Sequence, residues 1–263
     1  MQFTTLPRRK FFAAVLSLGC SLSALGQAGE TTPATTAMKA VAEQVEGDWT
    51  DGRWNQADVG PFMSAAIHTP QGRTLKGIAI KVGDTAQATV CFNTELLGYS
   101  AAWAGGFLEF DPRRYGLTGS TKPKGRILFA NGMTPGWAHR GELADPRQRQ
   151  LGSLPRNWAR YRGLYRHGNR VLLNYTVGET GVLETPWAGQ ADGRLFLTRT
   201  LEFDQAAKPL TGLIATKRGA TAVLQKISGL AVAQLPAGDE TLWVAALGQG
   251  TGSAVKNHRI LLT

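Results

Sequence analysis

The chain has 263 residues, 29 basic and 19 acidic side chains, and a formal net charge of +10. Neither of its two cysteines lies in a Cys-x-x-Cys-His motif, which excludes covalently attached haem. No apolar run reaches the roughly twenty residues needed to cross a bilayer, so we expect no permanent membrane span.

The N-terminus has the features of an export signal. A basic cluster at residues 8–10 precedes a mostly apolar run at residues 11–25, and small residues suitable for cleavage follow. We therefore predict a signal peptide over residues 1–28 and a periplasmic or secreted protein. The arginine pair fits both the general secretory route and twin-arginine export, and Cys20 leaves a lipoprotein anchor as an alternative.

The chain stays basic after such a cleavage. Removal of residues 1–28 takes away three of the 29 basic side chains and none of the 19 acidic ones, which leaves a formal net charge of +7. Positive charge suits an envelope rich in anionic polymers. Export argues against a chromosomal role, so we expect no nucleic-acid partner.

The rest of the chain is predicted to be all-β. Residues 29–46 indicate a linker with room for a short helix, and residues 47–263 a single β-rich domain. Short apolar segments alternate with Gly, Pro, Asn and Asp, which favours an antiparallel sandwich or barrel, with a partial β-propeller as the alternative. Cys91 lies in one of the apolar segments, so we expect it to be buried. The predicted strands are 76–82, 88–97, 106–110, 125–130, 161–166, 170–177, 194–203, 210–217, 222–227, 230–235, 241–247 and 258–263.

The most distinctive segment, residues 154–178, has five arginines and four aromatic side chains and no acid. A turn signal at His167-Gly168-Asn169 predicts a hairpin, and alternating apolar residues at 170–177 predict a half-buried strand. A longer acid-free run from residue 146 also contains Arg147 and Arg149, so we expect no local acid to partner these arginines. The arginines of the segment are Arg156, Arg160, Arg162, Arg166 and Arg170, and its aromatic residues are Trp158, Tyr161, Tyr165 and Tyr175.

Two interpretations of this segment remain open. Unpaired positive charge attracts anions, and aromatic ring faces stack on sugars. The same rings can instead pack in the core while the arginine stems lie over a sheet. Trp103 and Trp137 present the same choice, because an adjacent glycine can leave an indole face uncovered. The candidate binding residues are Trp103, Trp137, Arg156, Trp158, Arg160, Tyr161, Arg162 and Tyr165.

Several spaced motifs carry a family resemblance. They are Phe62-Met63-Ser64, Leu75-Lys76-Gly77-Ile78, Trp103-Ala104-Gly105-Gly106-Phe107-Leu108, Gly136-Trp137-Ala138, Leu154-Pro155-Arg156-Asn157-Trp158 and Tyr175-Thr176-Val177-Gly178. With these motifs, the chain resembles the bacterial exported family catalogued as domain of unknown function 6797. The resemblance extends from about residue 49 to at least residue 213. Relatives usually carry a c-type cytochrome module or a sugar-dehydrogenase-like propeller. The resemblance therefore implies a free-standing or truncated accessory domain with such a partner on another chain.

Catalytic signatures are weak. The four histidines are dispersed without metal-ligand spacing, and no nucleophile-elbow, phosphate-loop or dinucleotide motif occurs. We therefore expect no metal and no cofactor. A glycosidase needs two carboxylates across a cleft, and Glu109, Asp111 and Glu179 are the candidates for a carbohydrate-active hydrolase.

The function we predict is binding rather than catalysis. The chain fits an exported non-catalytic β module that binds a glycan or another anionic envelope component and serves as an accessory to a separate redox enzyme. The alternatives are the hydrolase and a structural docking domain.

Overall fold

The fold is given by a computed structural model that describes the backbone of residues 10–18 and all of residues 53–111, 121–204, 208–237 and 240–263. The predicted linker at residues 29–46 and the alternative lipid anchor at Cys20 lie outside this part. The described residues form strands and turns, with two 3-10 turns at Arg53–Gln56 and Gln148–Gln150. None of the helices described is long and apolar enough to span a membrane.

The strands are short and closely spaced along the chain. In chain order they are β1 (Lys10–Leu18), β2 (Phe62–Thr69), β3 (Gly72–Val82), β4 (Ala88–Asn93), β5 (Gly98–Ala104), β6 (Leu108–Glu109), β7 (Lys122–Pro123), β8 (Arg126–Ala130), β9 (Ala159–His167), β10 (Arg170–Val177), β11 (Thr180–Ala191), β12 (Arg194–Phe203), β13 (Gly212–Thr216), β14 (Val223–Ile227), β15 (Leu230–Ala237), β16 (Glu240–Ala245), β17 (Ser253–Lys256) and β18 (Arg259–Leu262).

These strands build open antiparallel sheets. The largest has eight strands in the order β14-β15-β16-β1-β12-β11-β10-β9, and a second has five in the order β2-β3-β4-β5-β8. The strands β13-β18-β17 form a third sheet, and β6 pairs with β7. None of these sheets closes into a barrel. The prediction of an all-β antiparallel fold is confirmed, and the architecture fits a sandwich.

The two large sheets share one hydrophobic core. Phe92 of the five-stranded sheet lies in the same buried cluster as Leu173, Tyr175 and Leu201 of the eight-stranded sheet. The ring centroids of Phe92 and Tyr175 are 5.8 Å apart. Apolar burial between the two faces is the main force that holds such layers together.

The five-stranded sheet is covered on both faces, which explains why every residue of β4 is buried. Alternate side chains point to opposite faces of a strand. Val90 and Phe92 join the main core, whereas Cys91 joins a smaller cluster around Trp103 and Ile67 on the other face. The predicted burial of Cys91 is confirmed, with none of its surface accessible.

Burial raises the pKa of the Cys91 thiol to about 11, since a thiolate would lose its hydration there. We expect iodoacetamide at pH 8 to alkylate Cys91 at least about 100-fold more slowly in the folded protein than in urea, because only the thiolate reacts. Mass spectrometry of the peptide that contains Cys91 separates this reaction from that of Cys20. Equal rates with and without urea would contradict the buried position.

The sequence pattern did not predict β1, β2, β5, β7, β11 or β17 as strands. β11 is a central strand, paired with β10 and β12, although it contains Pro186 and the charged Glu184. Proline cannot donate a ladder hydrogen bond, and a buried charge needs a partner, so both residues argue against a central strand when read alone. The partner of Glu184 is Arg199 on the neighbouring strand β12.

β1 lies inside the predicted signal peptide. Its backbone is antiparallel to β12 on one side and to β16 on the other, with Phe11 opposite Leu201 and Leu16 opposite Val244. In this position it joins the strands β14–β16 to β9–β12 in one sheet. Removal of a signal peptide would therefore expose hydrogen-bonding edges on both neighbours. The signal peptide and its cleavage stay predictions.

Candidate functional site

The arginine-rich segment forms a hairpin at the edge of the eight-stranded sheet. β9 pairs with β10 antiparallel, and β9 is the outermost strand. Gly168, in the turn that joins them, has φ of +60°, a conformation that glycine adopts without strain. The predicted hairpin is confirmed. We call residues 156–177 the arginine ribbon.

The two faces of the arginine ribbon differ as the alternation predicts. The inward side chains of β10, namely Val171, Leu173, Tyr175 and Val177, are buried. On the outward face, Arg160 lies opposite Thr176 and Tyr165 lies opposite Leu172. The phenol ring of Tyr165 is 58% exposed. One face therefore serves the core, and the other presents charge and one aromatic ring to solvent.

The exposed arginines of the ribbon lack carboxylate partners. Arg156, Arg160 and Arg162 are exposed, and among the described residues no acid lies within ion-pair distance of them. Arg166 donates through Nε to the Gly168 carbonyl at 2.9 Å. The guanidinium of Arg170 lies 3.9 Å from the ring centroid of Trp187 on β11. Sequence reasoning missed Trp187, which becomes a neighbour of the ribbon only through the register of β10 and β11.

Arg147 contradicts the prediction that the acid-free run lacks local acid partners. Its Nε and Nη2 bind the two carboxylate oxygens of Asp145 at 2.9 and 2.8 Å, and Nη1 lies 3.7 Å from Glu95. Burial raises the pKa of Asp145, but the hydrogen bonds and charge of Arg147 outweigh it, so the pKa lies below its usual range. The acid-free run begins at residue 146, directly after the partner. Arg147 is therefore structural.

The three candidate tryptophans lie in the core. Trp103, Trp137 and Trp158 are 0%, 1% and 5% exposed. The indole of Trp103 donates to the Phe107 carbonyl, and that of Trp158 donates to the Trp137 carbonyl at 2.9 Å. Their ring faces are covered by the protein's own side chains, so a ligand cannot stack on them. Packing, the alternative left open by the sequence, accounts for all three.

Tyr161 is intermediate between the two groups. It faces the core side of the arginine ribbon, opposite Tyr175, and its ring centroid lies 6.4 Å from that of Phe92. Burial raises the pKa of its phenol. The candidates that stay accessible are therefore Arg156, Arg160, Arg162 and Tyr165.

A shallow groove of about 350 Å³ adjoins the exposed ring of Tyr165. Asn174 donates to the Tyr165 hydroxyl at 3.3 Å. Glu202 and Asp204 contribute carboxylates, and a Cβ at Gly181 would collide with the Asp204 carboxylate. The groove thus combines an aromatic ring, an amide and two acids, groups that can contact the ring faces and hydroxyls of a sugar. Its remaining lining residues are Val182, Leu183 and Phe203.

The acids proposed for hydrolysis lie elsewhere. Glu109, Asp111 and Glu179 do not line this groove. Among the described residues, no three His, Cys, Asp or Glu side chains come together in an arrangement that could hold a metal ion.

Comparison with known proteins finds a family model whose matched segment includes the arginine ribbon. No curated protein and no solved structure matches the chain. Residues 90–184 match the model of a family described as "Domain of unknown function (DUF6797)". This segment runs from β4 into β11 and includes Trp103, Trp137 and the whole ribbon. The match confirms the resemblance for residues 90–184, which are similar to the DUF6797 family, whereas the motifs at residues 62–64 and 75–78 lie outside the matched segment.

Proposed function

We propose that this protein is an exported, non-catalytic β module that binds an acidic glycan or a similar anionic polymer of the cell envelope across the outward face of the arginine ribbon. The observation that carries the proposal is a set of exposed arginines, on β9 and just before it, that have no carboxylate partner among the described residues; β9 also carries the exposed Tyr165. Uncompensated surface charge attracts anions over a range set by the ionic strength.

The groove next to Tyr165 supports a sugar component in the ligand. A pyranose ring can stack on the phenol, while Asn174 and the two groove carboxylates can bind hydroxyl groups. The arginines along β9 would then contact carboxylate or sulfate substituents of the same polymer. Neutral and charged parts of one glycan would be recognised by adjacent parts of one sheet face.

The cellular setting of the proposal comes from the sequence. The basic cluster and apolar run at the N-terminus favour export to the periplasm or beyond. Relatives in the resembled family carry cytochrome or sugar-dehydrogenase modules. This context favours an accessory role beside a redox enzyme on another chain. In this setting the module would hold substrate or anchor its partner to the envelope.

We expect the Arg160→Ala/Arg162→Ala double variant to bind polygalacturonate about tenfold more weakly or worse than the wild-type chain, because each charge-assisted contact contributes to affinity. Affinity electrophoresis or titration calorimetry at two salt concentrations measures the effect. Wild-type binding should weaken at the higher salt, since exposed charges are screened. Tyr165→Ala should reduce binding at both salt concentrations, because stacking depends little on salt.

The matched control is Lys122→Ala/Lys226→Ala, which removes the same charge from exposed positions on other strands. It should retain wild-type affinity within about twofold. If both double variants lose affinity equally, only net charge matters and the ribbon is not the site. Cleavage of the polymer during the titration would instead assign the protein to the hydrolase alternative.

A further inference from the structure

A second and larger cavity, of about 520 Å³, lies outside the arginine ribbon and its groove. Five separate segments meet there: the β2–β3 turn at residues 71–73, the chain after β8 at 130–134, the loop at 149–151, the end of β13 at 216–218, and the β17–β18 turn at 258–259. Loops that converge from distant parts of a chain at one place on a β scaffold are frequent sites of binding.

The lining of this cavity is strongly cationic. In the part of the chain that the structure describes, no aspartate or glutamate lines it, and none of its basic side chains forms an ion pair with an acid. Like charges gathered in one concave space repel each other and concentrate anions from solution. The basic residues of the lining are Arg73, Arg149, Lys217, Arg218, His258 and Arg259.

Arg259 supplies an observation independent of net charge. It lines the cavity, and its Nε is buried without a hydrogen-bond partner. A buried donor left unpaired is costly, and a guanidinium N–H is a strong donor to an oxyanion. Arg259 is thus a half-buried cation whose desolvation no described acid offsets, and an anion in the cavity would offset it.

The walls of the cavity are fixed before any ligand arrives. The amide of Asn131 donates to the carbonyls of Tyr99 and Ile214 at 3.0 and 2.9 Å and accepts from the backbone N–H of Thr216 at 2.9 Å. The Lys217 N–H donates to the His258 carbonyl at 3.0 Å. These bonds tie the loop after β8 to the end of β13 and to the β17–β18 turn. A rigid frame lowers the entropy that a ligand must lose on binding.

The loop at residues 149–151 adds backbone strain at the edge of the cavity. Arg149 and Gln150 both have φ of +54°, a region that residues other than glycine rarely adopt. Strain of this kind collects at ligand-binding sites, where the surrounding structure holds it in place. Here it presents the Arg149 side chain to the cavity.

We propose that this cavity binds a small molecule with phosphate or sulfate groups and at least two negative charges. The volume is in the range of small-molecule sites, and tetrahedral oxyanions offer several acceptor oxygens to converging guanidinium groups. The site is separate from the arginine ribbon, since neither Arg160 nor Tyr165 lines it. It does not depend on the proposed function.

Titration calorimetry of the full chain with inorganic pyrophosphate tests the proposal. We expect saturable binding with one site per chain, and at least about fivefold weaker binding by Arg73→Ala and by Lys217→Ala, which lose one charge each. Sulfate and orthophosphate should bind more weakly than pyrophosphate. A comparison of the affinities for sulfate and orthophosphate shows which of the two oxyanions the cavity prefers. Citrate should bind far more weakly than pyrophosphate. Both substitutions are at exposed positions, so we expect the variants to stay folded, and circular dichroism checks this.

The matched control is Lys122→Ala/Lys226→Ala, which removes charge from exposed positions outside the cavity and should bind pyrophosphate as the wild type does. Non-saturable binding, or an equal loss of affinity in this control variant, would overturn the site. Citrate binding as tight as pyrophosphate binding would overturn the assignment to phosphate or sulfate. If the Arg160→Ala/Arg162→Ala variant bound polygalacturonate as well as the wild type, the function proposed for the ribbon would be wrong. Pyrophosphate binding in the cavity would be unaffected, so the two proposals can be tested separately.

Discussion

Replacing Arg199 with methionine is expected to lower the free energy of unfolding by about 3–5 kcal/mol, because it leaves a charged carboxylate buried without its counterion. Glu184 is fully buried, and its two oxygens accept hydrogen bonds from Arg199 and, at 2.6 Å, from the Tyr175 hydroxyl. The Arg199 guanidinium also lies 4.8 Å from the Tyr99 ring centroid. Burial, followed by the charge of Glu184, raises the pKa of both tyrosines well above the usual range.

Urea denaturation followed by circular dichroism measures this loss. The matched control is the double variant Arg199→Met/Glu184→Leu, which removes both charges and replaces them with apolar groups of similar size. It should recover a large part of the stability lost in the single variant, since a buried pair can often be replaced as a whole at little cost. A single variant as stable as the wild type would show that the pair is solvated or already neutral.

Local sequence was sufficient to predict the hairpin of the arginine ribbon. The turn at Gly168 and the alternation of Val171, Leu173 and Tyr175 are properties of neighbouring residues, and each leads to the same structure. The all-β class follows from the same kind of signal, because short apolar segments between turn residues recur along the chain. These predictions needed no knowledge of which strands pair.

Tertiary pairing decided the rest of the candidate site. Whether an indole faces solvent depends on the layer that covers it, and Trp137 is covered by Tyr175 and Phe203 from strands far along the chain. Glu184 is the partner of Arg199 only because the pairing of β11 with β12 brings the two side chains together. Both outcomes depend on contacts between strands, which composition and spacing do not contain.

The cationic cavity shows the same limit more strongly. Arg73 and Arg259 line one cavity, yet 185 residues separate them in the chain. Each of its basic residues looks like an ordinary solvated surface charge when read in sequence. The arginines of the ribbon are close together in the sequence and could be recognised there as a cluster. The basic residues of the cavity become neighbours only in the folded chain.

Replacing Trp137 with alanine is expected to lower the free energy of unfolding by about 3–5 kcal/mol, because it deletes a large buried side chain from the centre of the main core. The indole lies edge-on to Phe203, with ring centroids 6.0 Å apart, and packs against the backbone of Gly212, where even a Cβ would crowd it. Tyr165→Ala is the matched control. Since that ring is 58% exposed, it should change stability by about 0.5 kcal/mol or less.

Urea denaturation of both variants, together with polygalacturonate binding measured on folded protein, separates architecture from recognition. Trp137→Ala should unfold at a lower urea concentration and bind the polymer normally while it is folded, because its ring touches no exposed surface. Tyr165→Ala should unfold at the wild-type urea concentration and bind the polymer more weakly. If Trp137→Ala kept wild-type stability and lost polymer binding, the indole would have to reach a ligand, and the packing that encloses it here would be wrong.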